Sequence, residues 1–185
     1  PTRRSSDLPW RSLVESMTLL DSHDTARMRN VVGGDVEKHL AAMGLLLTYP
    51  GVPSIFAGDE IGLEGAWGED ARRTMTWDQS DLWDKEFLAN VKRLIALRRS
   101  SAALIDGGLR WVSVQDNYIA FLRESKRQNF LILVARDASK VEIDLAPYGY
   151  TISQTLFGPA QKGNRLNLKL KNGAVGIWEV IAREK

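Results

Sequence analysis

The sequence predicts an α/β segment over residues 1–100, followed by an all-β segment over residues 101–185. In the first segment, two short apolar runs, Met17 to Leu20 and Val52 to Ala57, flank a stretch with helical periodicity. In the second segment the apolar period changes to two, which is typical of antiparallel strands. Acidic residues follow both apolar runs. This order predicts buried parallel strands whose carboxyl ends carry functional side chains.

A β-helix-β unit accounts for the first segment as far as the second apolar run. A short helix is predicted from Pro9 to Glu15, before the first strand. Asp35 is a candidate N-cap of the connecting helix, and Pro50 disfavours helical geometry at Tyr49, where that helix should end. Its apolar face is formed by Val36, Leu40, Met43 and Leu47. Strands joined in this way pair in parallel. His39 lies among charged residues and is expected to be exposed.

The segment after the second strand is predicted to be a long ordered loop and a helix. No period holds from Gly58 to Ser80, and loops beyond about 12 to 15 residues are usually functional or disordered. Tryptophans in the loop favour order. A helix from Asp81 to Arg99 buries Phe87, Leu88, Val91, Leu94 and Ile95, and Arg98-Arg99 suits its negative C-terminal end. Ser100 to Gly108 is interpreted as a domain linker.

Seven antiparallel strands are expected in the second segment. They cover residues 109–114, 118–123, 129–135, 141–145, 151–157, 166–170 and 175–180. Asn172-Gly173 predicts a type I′ hairpin between the last two. This count predicts a small β-sandwich. Most of its aromatic residues, including Phe121, Phe130 and Trp178, are expected to face inward, and Trp77, Trp83 and Trp111 are also expected in the core.

Composition excludes several classes of protein. With 44% apolar and 26% charged residues, the chain is neither disordered nor a coiled coil. The 25 basic and 23 acidic residues form no basic stripe, so neither nucleic acid nor a membrane is a predicted partner. The absence of cysteine excludes disulfides and thiol chemistry. Residues 1–7 lack the apolar core of a signal peptide. No spacing of acidic residues or histidines suggests a metal site, and no cofactor is predicted.

Four motifs occur in a recognisable order along the first segment. They are Ser22-His23-Asp24-Thr25 with Arg27, then Tyr49-Pro50-Gly51-Val52-Pro53-Ser54-Ile55, then Gly58-Asp59-Glu60-Ile61-Gly62, and finally Arg72-Arg73 with Met75 and Trp77. In this order and spacing they resemble the C-terminal part of an α-amylase family enzyme, glycoside hydrolase family 13. Within the family, the chain is most similar to the neopullulanases, cyclomaltodextrinases and maltodextrin glucosidases. The second segment matches only by position and β character.

The resemblance implies that residues 1–100 are the last two β/α units of a (β/α)8 TIM barrel, followed by a C-terminal β-sandwich. Family members are α-retaining glycosidases that use an Asp nucleophile, a Glu acid/base and a third carboxylate, which Asp24 matches. His23 would donate a hydrogen bond to a sugar hydroxyl. The chain contains no Gly-x-Arg-x-Asp run, the usual setting of the nucleophile. The resemblance therefore implies a fragment that is inactive alone and whose partner is an α-glucan or a maltooligosaccharide.

Each candidate residue also has a structural interpretation. Asp24 could cap a turn and His23 could pack in the rim of the barrel. Residue types alone favour this structural interpretation. The four motifs in their family order favour the functional interpretation instead. Trp67 is equally consistent with a stacking platform for a sugar and with a hydrophobic plug under the loop. Arg72 could bind sugar or pair with acids of the loop. Relatives often carry an acid at the position of Gly68, and Glu69 or Asp70 could replace it.

Two further expectations concern the loop acids and the assembly of the chain. Asp59 and Glu60 are expected to be structural, because unpaired burial of either would be too costly. Two barrel strands cannot close a barrel, so either self-association through the exposed barrel surfaces or a partially disordered N-terminal half is predicted. The alternative function is a carbohydrate-binding or assembly module centred on the β-sandwich, which requires exposed aromatic residues in a row.

Overall fold

A computed structural model describes residues 9–183. The helices are α1 (Trp10–Val14), α2 (Met28–Val31), α3 (Val36–Thr48), α4 (Gly68–Ala71), α5 (Lys85–Ser100) and α6 (Ala102–Ile105), with 3₁₀ turns at Asp59–Ile61, Trp77–Leu82 and Ala146–Tyr148. The strands are β1 (Met17–Leu19), β2 (Val52–Ser54), β3 (Gly108–Val114), β4 (Tyr118–Glu124), β5 (Asn129–Ala135), β6 (Ser139–Asp144), β7 (Tyr150–Phe157), β8 (Arg165–Leu170) and β9 (Ala174–Ala182). Residues 1–7, which do not match a signal peptide, lie outside the described residues. No helix of the described part has the length and apolar character needed to cross a membrane.

The strands β1 and β2 pair in parallel, as predicted, with Met17 opposite Val52 and Leu19 opposite Ser54. Helix α3 lies between them in the chain. The second strand ends at Ser54, earlier than the predicted Ala57. Because the strands are parallel and in register, the segments that follow them leave from the same edge of the sheet.

The expectation that these two strands are buried on both faces is wrong for this chain. Met17 is 66% exposed and Val52 is 54% exposed. Among the described residues, β1 and β2 pair only with each other, so no further strand covers their outer edges. The result is an exposed apolar surface formed by Met17, Leu19 and Val52, called the open strand surface below.

Helix α3 begins and ends where the sequence predicts. Asp35 caps it by accepting a hydrogen bond from the Lys38 amide at 3.0 Å, and the helix stops before Tyr49 and Pro50. One side of α3 packs against α5, where Met43 and Phe87 belong to the same buried cluster. Its other side packs against the five-stranded sheet described below. The helix therefore lies at the centre of the molecule.

His39 contradicts the sequence-based expectation of an exposed residue. Its ring is fully buried and stacks on Phe87 with centroids 4.4 Å apart. Helical geometry explains this, because His39 and Met43 are one turn apart on the inward face, while the charged neighbours Glu37 and Lys38 lie on other faces. Burial lowers the pKa of His39 to about 4, so the ring is neutral at neutral pH.

The segment between the α and β parts has its own structure. Helix α5 starts at Lys85 instead of Asp81, and the Asp84 side chain caps it through the Phe87 amide at 3.0 Å. The predicted linker contains helix α6, in which Ala103 and Leu104 are fully buried. This segment is therefore part of the packed core.

All seven strands predicted for the second segment are present. Five form an antiparallel sheet in the order β3-β4-β5-β9-β7, and β6 pairs with β8 in a separate two-stranded sheet. The two sheets share a buried cluster that includes Leu131, Trp178, Val141 and Leu166. The other face of the larger sheet packs on α3, α5 and α6. This sheet therefore connects the β part to the segment that contains the candidate site.

Two tryptophans that the sequence places in the core are exposed in the structure. Trp178 is buried as expected, but Trp77 is 70% exposed and Trp111 is 45% exposed. Trp83 is half-buried and meets the edge of Trp77. Phe121 and Phe130 are buried, so neither is available for the exposed aromatic row that a sugar-binding sheet surface requires.

The predicted hairpin at Asn172-Gly173 is wrong. Strand β8 pairs with β6, whereas β9 lies between β5 and β7. A type I′ turn needs positive φ at both central residues, and neither residue has it. Asn172 instead donates a hydrogen bond to Asp35 at 2.7 Å, and this bond is the main reason that the pKa of Asp35 is lowered. The β part thereby contacts the N-terminus of α3.

Two buried arginines hold the other end of α3. Arg98 donates to the carbonyl oxygens of Leu47 and Tyr49 at 3.0 and 3.1 Å, and also to that of Gly51. Arg123 of β4 donates to the carbonyl oxygens of Thr48 and of Gly107 in the connecting segment. Cations are favourable at the negative end of a helix. The sequence predicts that Arg98 serves its own helix; it serves α3 instead.

We expect Arg123→Met to lower the free energy of unfolding by about 3 kcal/mol, because two buried carbonyl groups lose a charged donor. Urea unfolding measures the change. The matched control is Arg127→Met, whose exposed side chain makes no hydrogen bond in the structure; it should change stability by at most about 0.5 kcal/mol. Equal losses in the two variants would contradict the role assigned to Arg123.

We expect His39→Leu to stabilise the protein at acid pH. The pKa of His39 is lowered in the folded state. The stability that neutral His39 contributes to the folded state is therefore fully present above the ordinary pKa of 6.5, and it is lost as pH falls toward about 4. The free energy of unfolding of the variant, relative to that of the wild type, should be about 1 to 2 kcal/mol higher at pH 5 than at pH 7.5. Urea unfolding at both pH values gives this difference. A pH-independent difference would show that His39 does not titrate in this way.

Candidate active-site edge

Asp24 lies in a tight turn just beyond the carboxyl end of β1. The Thr25 amide donates to the Ser22 carbonyl oxygen at 3.2 Å, and the Ser22 amide donates to Thr25 Oγ1 at 3.0 Å. The Asp24 amide donates to Ser22 Oγ at 3.3 Å. The short hydroxyl side chains of Ser22 and Thr25 thus satisfy the turn's backbone and leave the Asp24 carboxylate pointing outward, with 68% of its side chain exposed.

Three of the predicted site residues contact one another. Arg72 Nη2 donates to Asp24 Oδ1 at 3.0 Å, and Arg72 Nε donates to the His23 carbonyl oxygen at 3.0 Å. His23 Nε2 is 3.4 Å from the same Asp24 oxygen. The guanidinium and the imidazole therefore flank one exposed carboxylate oxygen. Exposed ion pairs contribute little to stability, so these groups can exchange partners with a ligand at low cost.

The start of helix α4 packs against this turn. A Cβ atom added at Gly68 would lie 3.3 Å from the Asp24 carbonyl oxygen, which leaves little room for a larger residue. Trp67, immediately before Gly68, is 58% exposed rather than buried under the loop. Asp70, one of the acids considered as a replacement at this position, accepts hydrogen bonds from Arg73 and from the Ala66 amide. It therefore supports the loop, and its hydrogen bonds lower its pKa.

Arg27 connects the three segments at this edge. It donates to Asp59 Oδ1 at 2.8 Å, to the Ala57 carbonyl oxygen at 3.0 Å and to the Ala71 carbonyl oxygen at 3.0 Å. Its guanidinium also lies 4.2 Å from the ring centroid of Phe56. Both Arg27 and Asp59 are almost completely buried. The Asp24 segment, the segment after β2 and helix α4 therefore meet at one guanidinium group.

Both acids of the Gly58 loop form hydrogen bonds with other groups of the protein. Asp59 pairs with Arg27, and Glu60 accepts the Gly58 amide at 2.8 Å. Gly58 itself has φ of 106°, a conformation that favours glycine. Sequence reasoning identified Arg27 as part of a motif but did not find its role. A buried carboxylate such as Asp59 needs a cationic partner, and Arg27 was the basic residue of the motif to which no partner had been assigned.

Asp21 is a further residue of this edge that sequence reasoning missed. It is 5% exposed, and its Oδ2 accepts the Met28 amide at 2.5 Å. An acid placed directly after an apolar strand was the available signal. Within the described residues, no group of three or more histidines and acids could hold a metal ion.

Comparison with known proteins gives a consistent result. Residues 5–118 match the family described as "Alpha amylase, catalytic domain". Neopullulanase 2 from Thermoactinomyces vulgaris is 35% identical over 174 residues, which cover 91% of this chain and 30% of that protein. A cyclomaltodextrinase from a Bacillus species is 38% identical over 121 residues, 64% of this chain and 22% of that protein. The chain thus spans between a fifth and a third of the length of these relatives.

A solved structure extends the similarity to the whole fold. The native form of the debranching enzyme from Nostoc punctiforme superposes with a TM-score of 0.80 at 28% identity. The superposition covers 92% of this chain and 37% of that protein. The similarity therefore includes most of the β part as well as the segment that carries Asp24.

Proposed function

Because the chain belongs to the α-amylase family, we propose that it is the C-terminal part of an α-retaining glycoside hydrolase that acts on α-glucans or maltooligosaccharides. Residues 1–100 would be the last two β/α units of the catalytic (β/α)8 barrel, and residues 101–185 its C-terminal β-sandwich. The observation that carries the proposal is the contact of Asp24, His23 and Arg72 at the carboxyl edge of two parallel strands. Catalytic groups of barrel enzymes occupy this edge.

In this proposal Asp24 is the third carboxylate of the active site. Glycoside hydrolysis passes through an oxocarbenium-like transition state. A carboxylate beside the sugar binds its hydroxyl groups more tightly as the ring flattens, and its negative charge favours the developing cation. His23 donates a hydrogen bond to a sugar hydroxyl, and Arg72 orients Asp24 and can bind the sugar itself. The proposal assigns the nucleophile and the acid/base to barrel units that this chain does not contain, so we expect the chain to bind glucan without cleaving it.

Trp67 is proposed as a stacking surface for a pyranose ring. Its exposure and its position next to Gly68, which touches the Asp24 turn, support this role. The C–H face of a pyranose is attracted to the negative face of an aromatic ring. The lack of an acid at Gly68 leaves Arg72 free of a second carboxylate partner from that position, so its exposed guanidinium stays available to the ligand.

We expect Asp24→Asn to weaken binding of maltotetraose about tenfold, because a charge-assisted hydrogen bond is replaced by a neutral one. NMR titration of the chain measures the binding. The control is Asp116→Asn, an exposed acid in the β3–β4 turn, which should leave the affinity unchanged. Equal effects of the two substitutions would contradict the role of Asp24. The pure chain should not hydrolyse a chromogenic α-glucoside, and turnover by it would refute the proposal.

The open strand surface leads to a second expectation, the self-association of the chain. Contiguous exposed apolar residues and unpaired strand edges favour association. Light scattering should show a mass that rises with protein concentration. The double variant Met17→Gln/Val52→Thr should reduce this rise, whereas Val114→Thr, at an exposed apolar residue of β3, should not. A monomer at all concentrations would contradict the expectation.

A further inference from the structure

The main chain around Trp67 is held by hydrogen bonds on both sides of the exposed ring. Before it, the Ala66 amide donates to Asp70 Oδ2 at 2.7 Å. After it, the Trp67 carbonyl oxygen accepts the Ala71 amide at 2.7 Å. The indole ring itself is 58% exposed. The backbone at Trp67 therefore has fixed partners, and only the side chain is free to turn toward a ligand.

Arg73 fixes the carboxylate that holds the Ala66 amide. Its Nε and Nη2 donate to Asp70 Oδ1 at 2.9 and 2.7 Å, and Nη2 also donates to Asp70 Oδ2 at 3.0 Å. Two donors of one guanidinium restrict the orientation of a carboxylate as well as its position. Half of the Arg73 side chain is exposed, so the pair contributes little to the stability of the whole chain. Its effect is local, on the oxygen that binds Ala66.

The start of the same loop is joined to the segment that follows Asp24. The Gly65 amide donates to Asn30 Oδ1 at 2.6 Å, and the Gly65 carbonyl oxygen accepts the Arg27 amide at 2.8 Å. A Cβ atom added at Gly65 would lie 2.5 Å from the Ala71 Cα atom, so a larger residue would push the loop away from α4. The loop is therefore fixed against both α2 and α4.

Gly68 brings this loop into contact with the Asp24 turn. A Cβ atom at Gly68 would lie 3.3 Å from the Asp24 carbonyl oxygen and 3.7 Å from the Asp24 Cα atom. Because successive Cα atoms are about 3.8 Å apart, the Cα atom of Trp67 lies within about 9 Å of that of Asp24. An exposed aromatic face and an exposed carboxylate on touching segments can bind two neighbouring sugar units. One stacks on a pyranose ring, and the other accepts hydroxyl groups.

We propose that Asp70 is a positioning residue for Trp67, and that it holds the loop so that Trp67 and Asp24 bind neighbouring glucose units of one glucan. This proposal rests on the function proposed above for Asp24 and Trp67. The shortest ligand that uses the whole site then has two glucose units. A surface that is already ordered before binding loses less conformational entropy when the ligand arrives, so the hold on Trp67 contributes to affinity without touching the sugar.

The test compares a one-unit with a two-unit ligand, methyl α-glucoside and maltose, by NMR titration of the whole chain. The wild type should bind maltose about fivefold more tightly, the effect of one aromatic stacking contact. In Trp67→Ala the ratio of the two affinities should fall to about one. Equal affinities in the wild type, or an unchanged ratio in Trp67→Ala, would overturn the assignment of two neighbouring units.

Asp70→Ala should also lower this ratio toward one, because the Ala66 amide loses its acceptor. In Asp70→Asn the carboxamide oxygen still accepts that amide, so the ratio should stay close to the wild-type value. The matched control is Glu64→Ala, at an exposed acid of the same loop whose side chain makes no hydrogen bond to any described residue; it should leave the ratio unchanged. A merely structural role would weaken both ligands equally and keep the ratio, and this result would contradict the positioning role. So would equal ratios in the two Asp70 variants.

Hydrogen exchange without ligand separates this proposal from the one on which it rests. Exchange of the Ala66 amide should accelerate about tenfold in Asp70→Ala and remain nearly unchanged in Asp70→Asn. That pattern without any binding of maltose would count against the proposed function alone. Maltose binding that depends on Asp24 and Trp67, with the same ratio and the same exchange in Asp70→Ala, would count against the role of Asp70 alone.

Discussion

The arrangement at the candidate site depends on the buried guanidinium of Arg27. The two parallel strands contain only three residues each, and no further strand flanks them among the described residues. Arg27 instead holds Asp59, Ala57 and Ala71 at once. A buried cation must keep its partners, because leaving it unpaired costs several kcal/mol. The strands therefore bring the segments to one edge, and Arg27 fixes their relative positions.

Helix α3 packs against the β part and connects it to this edge. Its N-terminus contacts Asn172, and Arg123 of the large sheet bonds the carbonyl group of Thr48 at its C-terminus. Between these ends, the helix shares a buried cluster with the sheet. The turn after Thr48 leads directly into β2. The β part thus supports the strands from outside, although none of its described residues contributes to the contacts around Asp24.

Features determined by local chemistry could be predicted from the sequence, whereas features determined by distant partners could not. Asp35 caps α3 and Pro50 follows its end as expected, because both effects act within one helical turn. His39 was misjudged from its charged neighbours, although its helical period with Met43 indicated burial. The Asn172-Gly173 turn failed because its geometry follows from contacts with α3. Only tertiary contacts could decide this.

The same distinction applies to the candidate site. Asp24, His23 and Arg72 were found through their motifs, but the sequence predicted sugar or the acids of its own loop as partners of Arg72, and its contact with Asp24 was not predicted. Asp21 was missed because its importance comes from its hydrogen bond with the Met28 amide, a contact that no sequence spacing indicates. Arg27 stood within a motif, yet its role became clear only when three acceptors converged on it. Supporting residues are harder to predict than the residues they support.

The contrast between the two ion pairs explains how one edge can be both well ordered and adaptable. Arg72 and Asp24 are exposed, so water screens their attraction, and a ligand such as the sugar hydroxyl of the proposed function can replace either partner at little cost. Arg27 and Asp59 are buried, so neither can leave without exposing an unpaired charge to an apolar interior. If both pairs were buried, a ligand could not compete for Asp24. If both were exposed, nothing would hold Asp24 in position for the ligand.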